Sequence, residues 1–127
     1  MRIFKTKTFA RWAAKADVSD GALLGAVAQM ESGLTDADLG ANLFKQRVAL
    51  PGCGKSGSSR TIVATKFAGT LFFLYGFEKN ERDNISDKEL QLFKLVAEAL
   101  LGLDATALDS ALARGELKEL GHAQTHD

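Results

Sequence analysis

The hydrophobic pattern of the chain changes along its length, and this change limits the folds that it can adopt. Residues 43–49, 60–66 and 70–77 are short, rich in aromatic and β-branched types, and separated by Gly-Ser and Ala-Gly turn signals. Such segments predict strands joined as antiparallel hairpins. The only proline, Pro51, falls in the first of these turns, where it interrupts no strand ladder. The middle of the chain therefore predicts a small antiparallel sheet.

Helical spacing precedes these strands. After a short strand over residues 2–5, Thr8 is the predicted cap of a first helix, and apolar residues then recur at helical intervals. Ser19 is the predicted cap of a second helix, which Gly33 ends.

Helical spacing also follows the strands. Ser86 and Glu89 have the spacing of a capping box that opens a third helix with a strong apolar stripe. A weaker fourth helix is predicted over residues 105–114, and a short alternating element over residues 116–120. Because helices and hairpins are segregated along the chain, the predicted fold class is α+β, within one domain of 127 residues.

Charge is distributed unevenly, although the formal net charge is zero. Residues 44–82 hold seven basic and two acidic side chains, whereas residues 83–127 hold four basic and nine acidic ones. The two-residue period of the first hairpin strand places Lys45 and Arg47 on one face, opposite its apolar residues. A basic patch of this kind is typical of proteins that bind a phosphate polymer, and a solvated charged face is the plain alternative.

Composition excludes several classes of protein. A single cysteine, Cys53, cannot form an internal disulfide and fits a reducing compartment. Without a histidine in the body of the chain to activate it, Cys53 is disfavoured as a nucleophile. The longest apolar stretch, residues 71–75, is too short to span a membrane, and the charged N-terminus lacks the apolar run of a signal peptide. We therefore expect a cytoplasmic protein with no membrane partner.

Neither a cofactor nor a metal is predicted. The segment Gly54-Lys55-Ser56 resembles a phosphate-binding loop, but Ala49 occupies the position of the first glycine and a strand follows instead of a helix. His122 and His126 are four residues apart, yet they lie in a polar tail that we expect to be disordered. Tyr75 and Phe77 lie on one side of their strand, where they belong to the core or form a platform on which RNA bases stack.

The chain resembles the RelE/HigB-type toxins of bacterial toxin–antitoxin modules in four sequence blocks. The blocks are Lys-Gln-Arg-Val-Ala at 45–49, Pro-Gly-x-Gly-Lys-Ser-Gly at 51–57, Ser-x-Arg-Thr-Ile at 58–62 and Phe-x-Lys-Asn-Glu-Arg-Asp-Asn-Ile at 77–85. The resemblance implies a compact RelE-like fold over residues 1–103, with a small antiparallel sheet, two N-terminal helices and a helix after the last strand. Residues 104–120 would then form a C-terminal helical extension, and residues 121–127 a flexible tail.

The resemblance also implies an activity, its partners and a set of site residues. The family's activity is ribosome-dependent cleavage of mRNA in the ribosomal A site, restrained by an antitoxin that is often a helix-turn-helix protein. By position, Lys45 and Arg47 resemble the paired strand cations of the active face, and Arg60 resembles the phosphate-binding arginine. Lys79 and Arg82 fall in the basic turn before the last core helix. The family's further arginine and C-terminal tyrosine are replaced by Asn80 and, approximately, Ser86.

Metal-independent cleavage of RNA requires a deprotonated 2′-hydroxyl, a stabilised phosphorane and a protonated 5′-oxygen. Arg47 and Arg60 are the candidates to stabilise the phosphorane, because a guanidinium group binds two phosphate oxygens and stays charged. Crowding by other cations lowers the pKa of a lysine, which makes Lys55 or Lys79 the candidate base or acid, ahead of Glu81. The predicted RNA contacts are Tyr75, Phe77 and Lys66.

Two alternatives remain open from the sequence. One is a ParE-like toxin that acts on gyrase without cutting nucleic acid, and the other is a non-catalytic nucleic-acid-binding module. Inhibition by the antitoxin also has two routes. An acidic segment could cover Lys45, Arg47 and Arg60, which charge complementarity favours, or the antitoxin could grip the N-terminal helices near Phe9 and Trp12.

Overall fold

The computed structural model describes residues 1–50 and 58–120. The predicted turn that contains Cys53 and Lys55, and the tail that contains His122 and His126, lie outside the described residues. The elements in chain order are β1 (Arg2–Thr6), α1 (Lys7–Lys15), α2 (Asp20–Glu31), β2 (Ala37–Gly40), β3 (Leu43–Ala49), β4 (Ser58–Thr65), β5 (Thr70–Glu78), α3 (Asp87–Leu101), α4 (Ala105–Ala113) and β6 (Leu117–Glu119).

The six strands form one sheet in the order β2-β3-β4-β5-β1-β6. Every neighbouring pair is antiparallel except β1 and β5, which are parallel. The long central strands β3, β4 and β5 follow one another as antiparallel neighbours, as their turn signals predict. The α+β class and the RelE-like arrangement of elements are therefore confirmed.

Apolar residues on the two sides of the sheet form two separate cores. On one side, α1 and α2 pack against Val48, Val63 and Phe73, and we call this the α2 face. On the other side, α3 and α4 pack against Leu43, Ile62 and other apolar residues, and we call this the α3 face. The sheet is thus covered by helices on both sides, each with its own hydrophobic core.

Several predicted boundaries are confirmed, and one predicted cap is wrong. Ser19 caps α2, and Ser86 and Glu89 form both hydrogen bonds of the capping box at α3. The first helix is capped by Thr6 and not by Thr8, since the Thr6 hydroxyl accepts from the Phe9 amide. Thr6 Oγ1 also donates to the Leu74 carbonyl oxygen of β5, which ties this cap to the sheet.

Two strands were not predicted as strands. The first, β2, contains Asp38 and Gly40 and lacks strand periodicity, and it forms by pairing with β3. The second, β6, lies in the segment predicted as a helical extension, which also contains α4, and it pairs with β1 at the sheet edge. Because β2 lacks strand periodicity and β6 pairs with a strand that is distant in sequence, local propensity alone does not specify either one.

An irregularity in β5 sets the orientation of its second half. Ile62 of β4 is opposite Tyr75, but the next residue, Val63, is opposite Phe73, so Leu74 is an additional residue in β5. One extra residue shifts the alternation of side chains, which turns Tyr75 and Phe77 onto the α3 face. A Cβ at Gly76 would overlap the Trp12 ring, so glycine here lets α1 pack closely on the other face.

Candidate functional site

The candidate site lies on the α3 face, at the end of the sheet where β3 and β5 end and β4 begins. Arg47 of β3 is directly opposite Arg60 of β4, and Arg60 is directly opposite Phe77 of β5. Facing residues in neighbouring strands have Cβ atoms about 5 Å apart. Lys45 precedes Arg47 by two residues and therefore shares its face. The sheet thus places Arg60 beside Lys45 and Arg47, the two residues that the strand period predicts to share a face.

The two facing arginines repel each other unless an anion lies near them, because like charges directly opposite destabilise a sheet. Arg60 has such a neighbour, since its Nε lies 3.0 Å from Asp36 Oδ2. The Arg60 Nη1 also donates to the Ser59 carbonyl oxygen at 3.3 Å, and only 12% of the side chain is exposed. In the described residues, neither Arg47 nor Lys45 forms an ion pair. The positive charges of Lys45 and Arg47 therefore remain available on β3, beside the Arg60 side chain that Asp36 fixes in place.

Arg82 completes the cationic group from the segment after β5. Its guanidinium carbon lies 5.6 Å from the Phe77 ring centroid and 6.0 Å from that of Tyr75. Nη2 donates to Glu89 Oε1 at 2.5 Å, and Nη1 donates to Glu89 Oε2 and to the Tyr75 hydroxyl oxygen, both at 3.2 Å. Nε donates to the Asn84 carbonyl oxygen. All three guanidinium nitrogens of Arg82 are thus held in a fixed orientation over the aromatic pair.

Glu89 is the centre of this arrangement, because it also accepts from the Ser86 amide that begins α3. The hydrogen bond from Arg82 is the main cause that lowers the pKa of Glu89 to about 2, and the Ser86 amide adds to it. The same pair raises the pKa of Arg82, chiefly through the hydrogen bond to Glu89. Glu89 is therefore ionised at neutral pH and anchors Arg82 without being available as a base.

The remaining predicted site residues are placed as follows. Lys79 is exposed in the turn after β5, at the same end of the sheet as Arg47 and Arg60. Lys66 follows the opposite end of β4, about 20 Å along the strand from Arg60 at 3.3 Å per residue. Lys55 lies outside the described residues. The structure therefore brings Lys79 close to the site and leaves Lys66 apart from it.

The aromatic pair is covered by its neighbours. Phe77 is 3% exposed, and Arg82 lies over it. Tyr75 is partly exposed and contacts Phe93 of α3 at a centroid distance of 5.3 Å. In this arrangement both rings pack against the protein, and an RNA base would reach the Phe77 ring only after Arg82 had moved.

Sequence reasoning missed the two carboxylates that organise the site. Glu89 was found as a capping residue, but its pairing with Arg82, seven residues earlier, depends on the path of the turn between them. Asp36 gave no signal, because its contact with Arg60 forms only when β2 and β4 lie on either side of β3. Ser86, at the approximate position of the family's tyrosine, is occupied as the cap of α3.

The described residues offer cations and few carboxylates to a ligand. Within residues 1–50 and 58–120, no group of three or more His, Cys, Asp or Glu side chains could hold a metal ion. None of the helices in this part of the chain is long and apolar enough to cross a membrane. An exposed cluster of guanidinium and ammonium groups can bind and polarise a phosphodiester.

Comparison with known proteins identifies the family. A family model described as "RelE toxin of RelE / RelB toxin-antitoxin system" matches residues 1–120, which is nearly the whole chain. No curated protein matches the chain. The matched range includes β3, β4, β5 and the segment with Arg82, and it extends through α4 and β6.

Proposed function

The chain belongs to the RelE toxin family, and on this premise we propose that it is a cytoplasmic toxin that cleaves mRNA on the ribosome. A cognate antitoxin would bind the chain and inhibit this cleavage. The resemblance of residues 45–62 and 77–85 to RelE/HigB-type toxins supports the same proposal.

The observation that carries this proposal is the facing pair of Arg47 and Arg60. Asp36 compensates the charge of Arg60 within the fold, whereas Arg47 is exposed and forms no ion pair among the described residues, so a phosphate that binds Arg47 would relieve the remaining repulsion. A phosphorane carries additional negative charge on its equatorial oxygens, and paired guanidinium groups stabilise it more than they stabilise the starting phosphodiester. Arg47 and Arg60 would therefore bind the scissile phosphate and lower the barrier.

Proton transfer would fall to residues around this pair. Lys79, exposed at the same end of the sheet, is a candidate acid or base, and Lys55 is the other. Glu89 is unsuited to abstract a proton near neutral pH because its pKa is about 2 and both its oxygens accept from Arg82. Arg82 would hold position through Glu89 and add positive charge to the site. Lys66 would contact a phosphate farther along the RNA.

Such a site supplies electrostatic stabilisation but little means of aligning a flexible RNA strand. Holding the 2′-oxygen, phosphorus and 5′-oxygen in line is worth several orders of magnitude in rate. The ribosome holds mRNA in a fixed path, so it would supply this alignment. We therefore expect free RNA to be cut poorly and ribosome-bound mRNA to be cut at defined codon positions.

The test is to map mRNA 5′ ends in a purified translation system with the wild-type chain, Arg60→Ala or Arg11→Ala. Arg60→Ala should reduce the cleavage rate about 100-fold to 1,000-fold, which is typical when one transition-state donor is lost. Arg11→Ala is the matched control, because Arg11 is exposed on α1, and this variant should cleave mRNA at the wild-type rate. Equal cleavage by wild type and folded Arg60→Ala would place the active site elsewhere.

Expression of the chain in growing cells, with mRNA 5′ ends mapped there as well, separates the alternatives. Growth arrest without any new mRNA ends would indicate the gyrase-directed toxin, and nucleic-acid binding without arrest would indicate the non-catalytic module. Efficient metal-dependent cleavage of free RNA would contradict the proposed mechanism.

A further inference from the structure

Asp36 makes a contact that the pairing of its own strand does not require. It directly precedes β2, and its amide donates to the Lys45 carbonyl oxygen of β3 at 3.1 Å. Its carboxylate reaches past β3, and Oδ2 lies 3.0 Å from Nε of Arg60 in β4. Neighbouring strands are about 4.8 Å apart, so this contact joins two segments that are separated by a whole strand. The ion pair therefore restrains Arg60 from the edge of the sheet.

The environment of this ion pair favours a fixed geometry. The Arg60 side chain is 12% exposed and the Asp36 side chain is 33% exposed. Solvent and salt screen such a pair less than they screen a fully exposed one. The hydrogen bond from Arg60 Nη1 to the Ser59 carbonyl oxygen restricts the guanidinium group further. Arg60 is thus held through Nε and Nη1 before any ligand binds.

The restraint matters because Arg47 is directly opposite Arg60. Two guanidinium groups in facing positions repel each other, and an unrestrained Arg60 side chain would swing away from Arg47. With the Asp36 carboxylate in place, Arg60 keeps its position, and both arginines can bind one phosphate. Charges that are oriented in advance need no rearrangement when the reaction occurs, which lowers its barrier.

The same carboxylate should weaken the binding of anions at this point of the sheet. It places a negative charge 3.0 Å from the guanidinium group that would bind phosphate, so an RNA strand meets less positive potential there. Weak binding of the substrate does not lower the maximal rate if the interactions in the transition state are kept. RNA that is not aligned for cleavage would therefore dissociate readily, whereas the ribosome would present aligned mRNA.

We propose that Asp36 is a positioning residue, which orients Arg60 toward the scissile phosphate and keeps the affinity for free RNA low. The inference rests on the proposed function, because that function supplies the phosphate. It also gives a role to β2, the short edge strand that lacks strand periodicity, since its pairing with β3 brings Asp36 within reach of Arg60. Asp36 would act through Arg60 and not on the RNA itself.

The first measurement is the affinity of the full chain for a single-stranded RNA with 2′-O-methyl groups, which cannot be cleaved. Asp36→Asn removes the charge but keeps an oxygen that accepts from Arg60. It should bind this RNA about fivefold more tightly than wild type, as expected for the loss of one repulsive charge near a phosphate in water. The affinity should also fall more steeply with salt concentration, because one more cation is available to the RNA.

Asp38→Asn is the matched control for this measurement. It removes the same charge from the same edge of the sheet, but the Asp38 carboxylate accepts from the Gly40 amide at 2.9 Å, and Asn keeps that acceptor. Its affinity for the RNA should stay within about twofold of wild type, because solvent and salt screen an exposed charge that lies away from the bound phosphate.

The second measurement is the cleavage of ribosome-bound mRNA. Asp36→Ala removes the acceptor as well as the charge, so Arg60 loses its orientation and kcat should fall about tenfold. KM should stay level or fall, because the site becomes more positive. Asp36→Asn should keep most of the wild-type kcat. A purely structural role would leave the RNA affinity of folded Asp36→Asn unchanged, and it would not produce this split between kcat and KM.

A double-mutant cycle tests whether Asp36 acts through Arg60. In the Arg60→Ala background, Asp36→Ala should cause no further loss of cleavage, because the side chain that Asp36 orients is absent. A further loss as large as that in the wild-type background would overturn the inference, since Asp36 would then act independently of Arg60.

The outcomes separate this inference from the proposed function. If the wild-type chain cleaves mRNA, an unchanged RNA affinity in folded Asp36→Asn or an unchanged kcat in folded Asp36→Ala would overturn the role of Asp36 alone. Asp36→Asn keeps the test decisive if Asp36→Ala does not fold, which thermal unfolding would show. If the wild-type chain cleaves no mRNA on the ribosome, the proposed function is wrong, and the positioning role falls with it.

Discussion

Helices α2 and α3 lie on opposite faces of the same sheet, and they are buried to very different degrees. Within 12 residues, α2 buries four side chains, which are Leu23, Ala26, Val27 and Met30. Within 15 residues, α3 buries only one, although most of its residues are apolar. The α2 face is therefore closed by packing, whereas the α3 face leaves apolar and cationic groups exposed. The two sides of one sheet thus differ in how completely a helix packs on them.

The largest expected effect tests whether packing on the α2 face dominates stability. Phe9 is fully buried and stacks on Phe73 at 5.0 Å, so Phe9→Ala should lower the free energy of unfolding by about 3–5 kcal/mol. Phe93→Ala on α3 should cost about half as much or less, because Phe93 is only partly buried. Urea unfolding of both variants measures the difference. Equal losses would contradict the contrast between the faces.

An intermediate effect concerns pH, because the stability of the α3 face depends on the Glu89–Arg82 ion pair as well as on packing. The pKa of Glu89 is lowered from 4.5 to about 2, so its pairing with Arg82 stabilises the fold fully above pH 4.5 and is lost as the pH falls toward 2. Unfolding free energies of wild type and Glu89→Gln should differ most above pH 5 and converge in acid.

A second exposed pair supplies the control for this measurement. The Arg114–Glu116 pair also lowers the pKa of its carboxyl, but both side chains are more than half exposed. Glu116→Gln should therefore show a smaller difference from wild type across the same pH range, because solvent screens exposed pairs. A gap for Glu89→Gln that does not change with pH would show that packing, and not charge, gives Glu89 its effect.

The smallest expected effect has the opposite sign. Arg47→Ser removes one of two facing guanidinium groups, so the free energy of unfolding should stay level or rise by up to about 0.5–1 kcal/mol. The same variant should lose most of its mRNA cleavage under the proposed function. Thermal unfolding and cleavage measured on one preparation would show both changes. A clear loss of stability would mean that Arg47 has a structural role that its exposure does not suggest.

Much of the sheet and two of the helix caps could be predicted from sequence because they depend on local signals. The bounds of β3 match its alternation of polar and apolar residues, and the capping box of Ser86 and Glu89 is visible three residues apart. Ser19 is a further example. The prediction of Thr8 as the cap of α1 was wrong, since the Thr6 hydroxyl caps this helix and also donates to the Leu74 carbonyl oxygen of β5, which is far away in sequence.

The candidate site was only partly predictable for a similar reason. Lys45 and Arg47 share a strand, so the two-residue period places them together. Its carboxylates come from segments whose approach depends on the completed sheet, as the Asp36 to Arg60 contact illustrates. The extra residue Leu74 in β5 is likewise invisible in the sequence, although it decides which face Tyr75 and Phe77 occupy.

The position of β1 has a consequence for the time at which this fold can form during synthesis. Residues 2–6 lie between β5 and β6, so the first strand made must wait for residues 70–78 and then for residues 117–119. The Leu120 amide donates to the Ile3 carbonyl oxygen, and Arg2 pairs with Glu119. Pairings of such large sequence separation form late in folding. A nascent chain therefore cannot finish its sheet until about residue 120 has left the ribosome, and the native toxin emerges only after translation of this region ends.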